Sequence, residues 1–175
     1  MRTEYAAAAL DAAAQTPHTV VRLDFTAAEP YDALRERFES IVPVFDPAAL
    51  LAGVTDWADV VGNTAAAAPH DFLRYATIDG TPLFGIAGHT TSVVTYLMGN
   101  HVFAEQMFRH DPGILLYAPL RVTIYQDKAG VAHLSVDRPS TRFASFGDER
   151  ITAVGEMLDD KIAALVTALG LVDEA

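Results

Sequence analysis

The side chains best suited to chemistry fall between positions 101 and 121. His101, Glu105 and Arg109 are spaced four apart, so on a helix they stack along one face. A histidine opening a helix meets the positive end of the dipole, which disfavours protonation. A neutral imidazole is what a metal ion requires. Glu105 beside His101 or Arg121 would form a coupled titratable pair of the kind found in active sites. The same spacing also describes an ordinary Glu–Arg surface pair, worth a few tenths of a kcal/mol. Arg121 shares a strand face with Tyr125. It is buried and in need of an anion if helices cover both faces of the sheet, and solvated if one face is open. Tyr96, Met98, Phe103, Met107, Phe108 and Tyr117 suit the lining of an apolar cavity, and equally suit a core.

These residues are carried by a strand, a helix and a second strand over residues 93–125. Val93 to Met98 is an unbroken apolar run with β-branched and aromatic members, which predicts a strand buried on both faces. Gly99-Asn100 breaks it, and Asn100 is a good N-cap for the next helix. That helix must stop near Asp111-Pro112-Gly113. Leu120, Val122 and Ile124 then alternate with Arg121, Thr123 and Tyr125, a period of two and hence a strand with two unlike faces.

The rest of the chain supplies the surroundings. Residues 4–14 predict a short helix or frayed arm from their alanine content. His18 to Thr26 reads as the first strand. Pro30 opens a helix with Tyr31, Leu34, Phe38 and Ile41 at helical spacing. Asp46-Pro47 starts another, with a break expected at Gly53-Val54-Thr55. Phe72 to Ile78 and Leu83 to Ala87 read as strands joined by the turn Asp79-Gly80-Thr81-Pro82. A last strand spans Val131 to Val136, and Arg138 to Asp148 reads as a loop anchored by Phe143 and Phe146. Ile151, Val154, Leu158, Ile162, Leu165 and Leu169 mark the cleanest amphipathic helix, ended by Gly170. The order β-α-(α)-β-β-β-α-β-β-α predicts an α+β fold with helices packed on a mostly antiparallel sheet.

At 175 residues one domain is expected, able to bury roughly two thirds of its unfolded surface. The absence of cysteine rules out disulfides, thiol catalysis and thiolate metal ligands. No segment reaches the roughly 18 unbroken apolar residues of a membrane span. The acid in Met1-Arg2-Thr3-Glu4 is unlike a secretory leader, so a cytoplasmic protein is expected. A net charge of −11 repels phosphate backbones, which argues against nucleic acid as a partner. No dinucleotide, phosphate-loop, zinc-protease or nucleophile-elbow motif is present.

The segment YLMGNHVFAEQMFRHDPGILLYAPLRVTIYQD, followed by a strand VxHLSVDRPS, resembles the bacterial family numbered 302 among domains of unknown function. The resemblance spans roughly residues 72–169: strand, Gly-Asn turn, short helix, apolar stretch ending in Pro, strand, strand, Pro-containing loop and C-terminal helix. It implies a sheet packed on helices, likened to the TATA-box-binding-protein-like fold, and a tendency to form homodimers. A mean hydropathy of +0.20 agrees with a buried subunit face. The resemblance also implies haem as the leading cofactor; if haem is bound, His101, which stands where many members carry Pro, is the expected axial ligand, with Tyr96, Met98, Phe103, Tyr117 and Arg121 around it. Tyr96 or Tyr117 could serve instead as a phenolate ligand.

Three function classes follow. A module binding a small ligand or haem predicts a cavity beside His101. An enzyme predicts a pocket that couples His101, Glu105 and Arg121. A structural or interaction protein predicts a satisfied Arg121, no pocket and an exposed apolar patch.

Overall fold

Alternation of buried and half-open residues along the strands sets the architecture. A computed structural model describes residues 11–172. Its elements are β1 (Arg22–Thr26), α1 (Tyr31–Ile41), α2 (Pro47–Leu51), α3 (Trp57–Ala67), β2 (Leu73–Asp79), α4 (Thr81–Ile86), β3 (Val93–Gly99) and α5 (His101–Phe108). A 3-10 turn (Pro112–Leu116), β4 (Leu120–Gln126), β5 (Ala132–Asp137), α6 (Pro139–Phe143), a 3-10 turn (Ala144–Phe146) and α7 (Glu149–Ala168) complete it. The five strands form one antiparallel sheet in the order β1-β5-β4-β3-β2. The fold is therefore α+β, as the sequence predicts. The helix or arm expected over 4–14 lies largely outside the described residues.

Among the described residues, helices cover one face only. Val94, Tyr96 and Met98 of β3 join Leu120, Val122 and Ile124 of β4 and Leu134 and Val136 of β5 in the core. From the helices the same core receives Leu34 and Phe38 of α1 and Ile151, Leu158, Ile162 and Leu165 of α7. The intervening residues Val93, Thr95 and Leu97 are half-buried on the other face. The expectation that β3 is buried on both faces is thus corrected. An apolar run does not reveal whether a second helical layer exists.

A second difference lies at Leu83 to Ala87, where the sequence predicts a strand and the chain forms α4. Thr81 explains it locally. Its backbone N–H bonds the Asp79 carboxylate at 2.9 Å, and its hydroxyl meets both the N–H and the C=O of Val93, at 2.9 and 3.2 Å. The turn is therefore closed onto β3, and Pro82 falls in the first helical turn, where its missing N–H costs nothing. The predicted break after α2 and the end of the last helix at Gly170 (φ 65°) are both observed. Arg138 to Asp148, read as a loop, winds into α6 and a 3-10 turn, with Phe143 fully buried as the anchor. No helix among the described residues is long and apolar enough to cross a membrane.

Candidate functional site

Asn100 sets the position of His101. Its side-chain oxygen accepts from the N–H groups of Val102 (2.9 Å) and Phe103 (3.4 Å), and its amide donates to the Asp71 carbonyl at 2.8 Å. This is the N-cap the sequence predicts, and it places His101 at the first position of α5.

Two hydroxyls then hold the imidazole. Nε2 lies 2.7 Å from Thr64 Oγ1 on α3, and Nδ1 lies 2.8 Å from the Tyr75 hydroxyl on β2. A threonine hydroxyl has a single proton. Thr64 Oγ1 is 2.6 Å from the Val60 carbonyl, a contact between two oxygens that requires that proton between them. Nε2 is therefore protonated and donates to Thr64, and Nδ1 accepts from Tyr75. Burial lowers the His101 pKa from its ordinary 6.5 and pushes the Tyr75 hydroxyl up to about 12. The ring is neutral, as the sequence predicts, although burial is the cause.

Tyr75 reaches His101 from an irregular stretch of strand. The pairing of β2 with β3 slips between Arg74 and Ala76, a bulge that re-aims the side chain. The segment before α2 braces it: Arg74 N–H donates to Pro43 O at 2.7 Å, and Phe45 N–H donates to Arg74 O at 2.9 Å. Phe45 stacks on the Tyr75 ring with centroids 4.6 Å apart. Neither Tyr75 nor Thr64 was recognisable as a partner. The one available signal was a lone threonine hydroxyl in the alanine-rich stretch of α3.

The His101 assembly borders an apolar cavity of about 330 Å³, lined by Phe72, Phe103, Met107, Leu120, Phe143 and Leu158 among others. Of the other residues expected around His101, only Phe103 lies here. Tyr96 and Met98 are fully buried in the core, and the Tyr96 hydroxyl donates to Glu39 at 2.7 Å. Burial and that carboxylate raise its pKa, which opposes a phenolate. Tyr117 and Arg121 line a second cavity of about 450 Å³. Arg121 is exposed on the open face of the sheet. Glu105 is occupied by Arg109, its ion-pair partner one turn on. An active site coupling His101, Glu105 and Arg121 is therefore not assembled.

The residues present do not fit haem in this arrangement. Both imidazole nitrogens are engaged, so an axial bond would displace Thr64 or Tyr75. None of the described residues lining the cavity is Lys or Arg, which leaves two propionates unmatched among them. Among the described residues no group of three or more His, Asp or Glu side chains is placed to hold a metal ion.

A pH dependence of stability follows from His101. Because its pKa is lowered by folding, the unfolded chain binds more protons below about pH 6.5. Stability contributed by the neutral ring is fully present above that pH and declines as pH falls towards the lowered folded pKa. Thermal unfolding of the wild type between pH 7 and pH 5 is expected to show this decline. His101→Gln should show a shallower one, and parallel profiles would refute the assignment.

The family model described as "Domain of unknown function DUF302" matches residues 54–169, and no curated protein matches the chain. The fold is similar to the crystal structure of an uncharacterized conserved protein DUF302 from Bacillus stearothermophilus, with a TM-score of 0.62 at 13% identity over 85% of this chain and 97% of that one. At that identity the likeness concerns fold alone. The matched stretch runs from the start of α3 through the Gly-Asn turn and both cavities to the end of α7, more than half of the chain, and on it the protein belongs to the DUF302 family of domains of unknown function.

Proposed function

We propose that the domain binds a small, predominantly apolar ligand in the cavity beside His101. The observation carrying this reading is the cavity itself: apolar walls with a neutral, doubly hydrogen-bonded imidazole and the Asn100 turn at one end. Binding pockets combine such walls with a few fixed polar groups, and about 330 Å³ lies at the small end of their range. A neutral imidazole can exchange its hydroxyl partners for a ligand hydroxyl or carbonyl without a change of charge.

N-phenyl-1-naphthylamine, an uncharged apolar fluorophore, tests the reading. Saturable enhancement is expected with the wild type and its loss with Ala104→Trp, which fills the cavity with an indole. A wild type that gives no saturable signal overturns the reading, as does an unchanged signal in a folded Ala104→Trp. Haem titration is the second arm. No Soret shift is expected while Thr64 and Tyr75 hold the ring. A shift that disappears in His101→Ala would instead favour haem, with His101 as its axial ligand.

The assembly we propose is a homodimer formed through the β2 side of the sheet. There Ile78, Leu83, Phe84 and Ile86 are 57%, 67%, 49% and 86% exposed, a concentration of apolar surface that favours association. Light scattering at micromolar concentration should give twice the mass of the chain, and Ile86→Glu should return it to monomer. A monomeric wild type would remove the proposal.

A further inference from the structure

The second cavity differs in kind from the one beside His101. It opens on the helix-free face of the sheet and measures about 450 Å³, with Leu97, Leu116, Tyr117, Pro119, Arg121 and Arg142 in its lining. Its polar groups are unequal. Arg142 bonds Asp137 at 2.6 Å and lies over the Tyr117 ring, 5.0 Å from its centre. Asp137, the acid in the lining, is thereby neutralised. The Arg121 side chain has neither an ion pair nor a hydrogen bond among the described residues.

In this chain acids outnumber Lys and Arg by 23 to 12. Arg22, Arg35, Arg37, Arg74, Arg109, Arg142 and Arg150 each contact a carboxylate. Among the described residues the side chains of Arg121 and Arg138 make no such contact, and the cross-strand neighbour of Arg121 in β3 is Leu97, followed by Ala76 in β2. The lining thus holds two guanidinium groups and one carboxylate, a local excess of one positive charge. Leu115 and Leu116, 53% and 76% exposed, stand at the same cavity.

We propose that this cavity is a second binding site, for a carboxylate carried on an apolar body. Arg121 offers its planar fork to the carboxylate, and Leu97, Leu116, Tyr117 and Pro119 receive the apolar part. The two cavities share Leu115, Ala118, Pro119 and Leu120 as a common wall, yet they carry separate polar groups and can be filled independently.

Octanoate and uncharged 1-octanol, titrated into 15N-labelled protein, test this. Octanoate should saturate and shift the amides of Leu115 to Tyr117 and of Arg121, with 1-octanol weaker. Arg121→Gln, at an exposed position, should weaken octanoate about tenfold, the scale of losing a charge-assisted hydrogen-bonded pair. Arg121→Lys, which keeps charge without the fork, should fall between. Ala104→Trp should leave octanoate binding intact, so failure of the cavity beside His101 is separable from failure here. Equal octanoate affinity in Arg121→Gln overturns the proposal, as do 1-octanol binding as tightly as octanoate or an absence of saturation at low millimolar concentration.

Discussion

Tyr96→Ala is expected to lower the unfolding free energy by about 3–5 kcal/mol, the cost of deleting a large aromatic side chain from a packed core. The ring is completely buried and stacks on Phe38 with centroids 4.6 Å apart and planes inclined by 28°. Arg74 lies over it at 5.7 Å. Its hydroxyl donates to Glu39, which also accepts from Arg35 at 3.1 Å, and Arg35 in turn binds Asp79 at 2.8 Å. One phenol therefore joins the apolar core to the charged network between α1 and β2. Tyr96→Phe separates the two roles. It keeps the stack and removes one hydrogen bond from a carboxylate that retains Arg35, so about 1 kcal/mol is expected. Urea unfolding with an unchanged m-value is the measurement. Because Tyr96 lies outside the cavity beside His101, Tyr96→Phe should leave fluorophore affinity there unaltered. A Tyr96→Ala variant within 1 kcal/mol of the wild type would contradict the packing described.

The same substitution at two helical glycines is expected to act in opposite directions. In α7 a Cβ on Gly155 would lie 3.0 Å from Ser140 Cα and 3.1 Å from Phe143 Cβ. The nearest obstacle is backbone, and Asp159 holds it by accepting from the Ser140 N–H (2.9 Å) and hydroxyl (2.6 Å). With so little room to yield, Gly155→Ala should lose about 1–3 kcal/mol to overpacking despite the helix propensity gained. At Gly62 in α3 an added Cβ meets nothing within 4 Å. Gly62→Ala should therefore gain about 0.5–1 kcal/mol from propensity and a smaller entropy loss on folding. For a chain of this length about 2–4 °C of melting temperature accompanies each kcal/mol, so calorimetry resolves both signs. A stabilised Gly155→Ala would mean that α6 and α7 do not pack as closely as described.

Much of this protein was legible in local patterns. The Asn100 cap, the ends of α5, the two-faced β4, the break after α2 and the long stripe of α7 each depend on residues within a few positions of one another. Hydrophobic period and capping chemistry act at that range. The α+β class followed from the order of these elements, and membership of the family from the stretch around Gly99-Asn100.

What local pattern could not decide was which surfaces meet. Val93 to Met98 carries little polar character beyond the hydroxyls of Thr95 and Tyr96, and among the described residues no helix covers the second face, which leaves Leu97 and Thr95 half-open and Arg121 in solvent. His101, Glu105 and Arg109 share a helix face by spacing, yet the partners of His101 come from Thr64 and Tyr75, 37 and 26 residues away. A bulge in β2, invisible in its sequence, turns Tyr75 towards the imidazole. The sequence alone thus determined most of the elements and the place of His101 at a helix start, but not the helices at 81–86 and 139–143. The tertiary structure decided what that histidine touches and that the expected site residues divide between two cavities and the core, because those outcomes depend on contacts between segments whose approach no local period encodes.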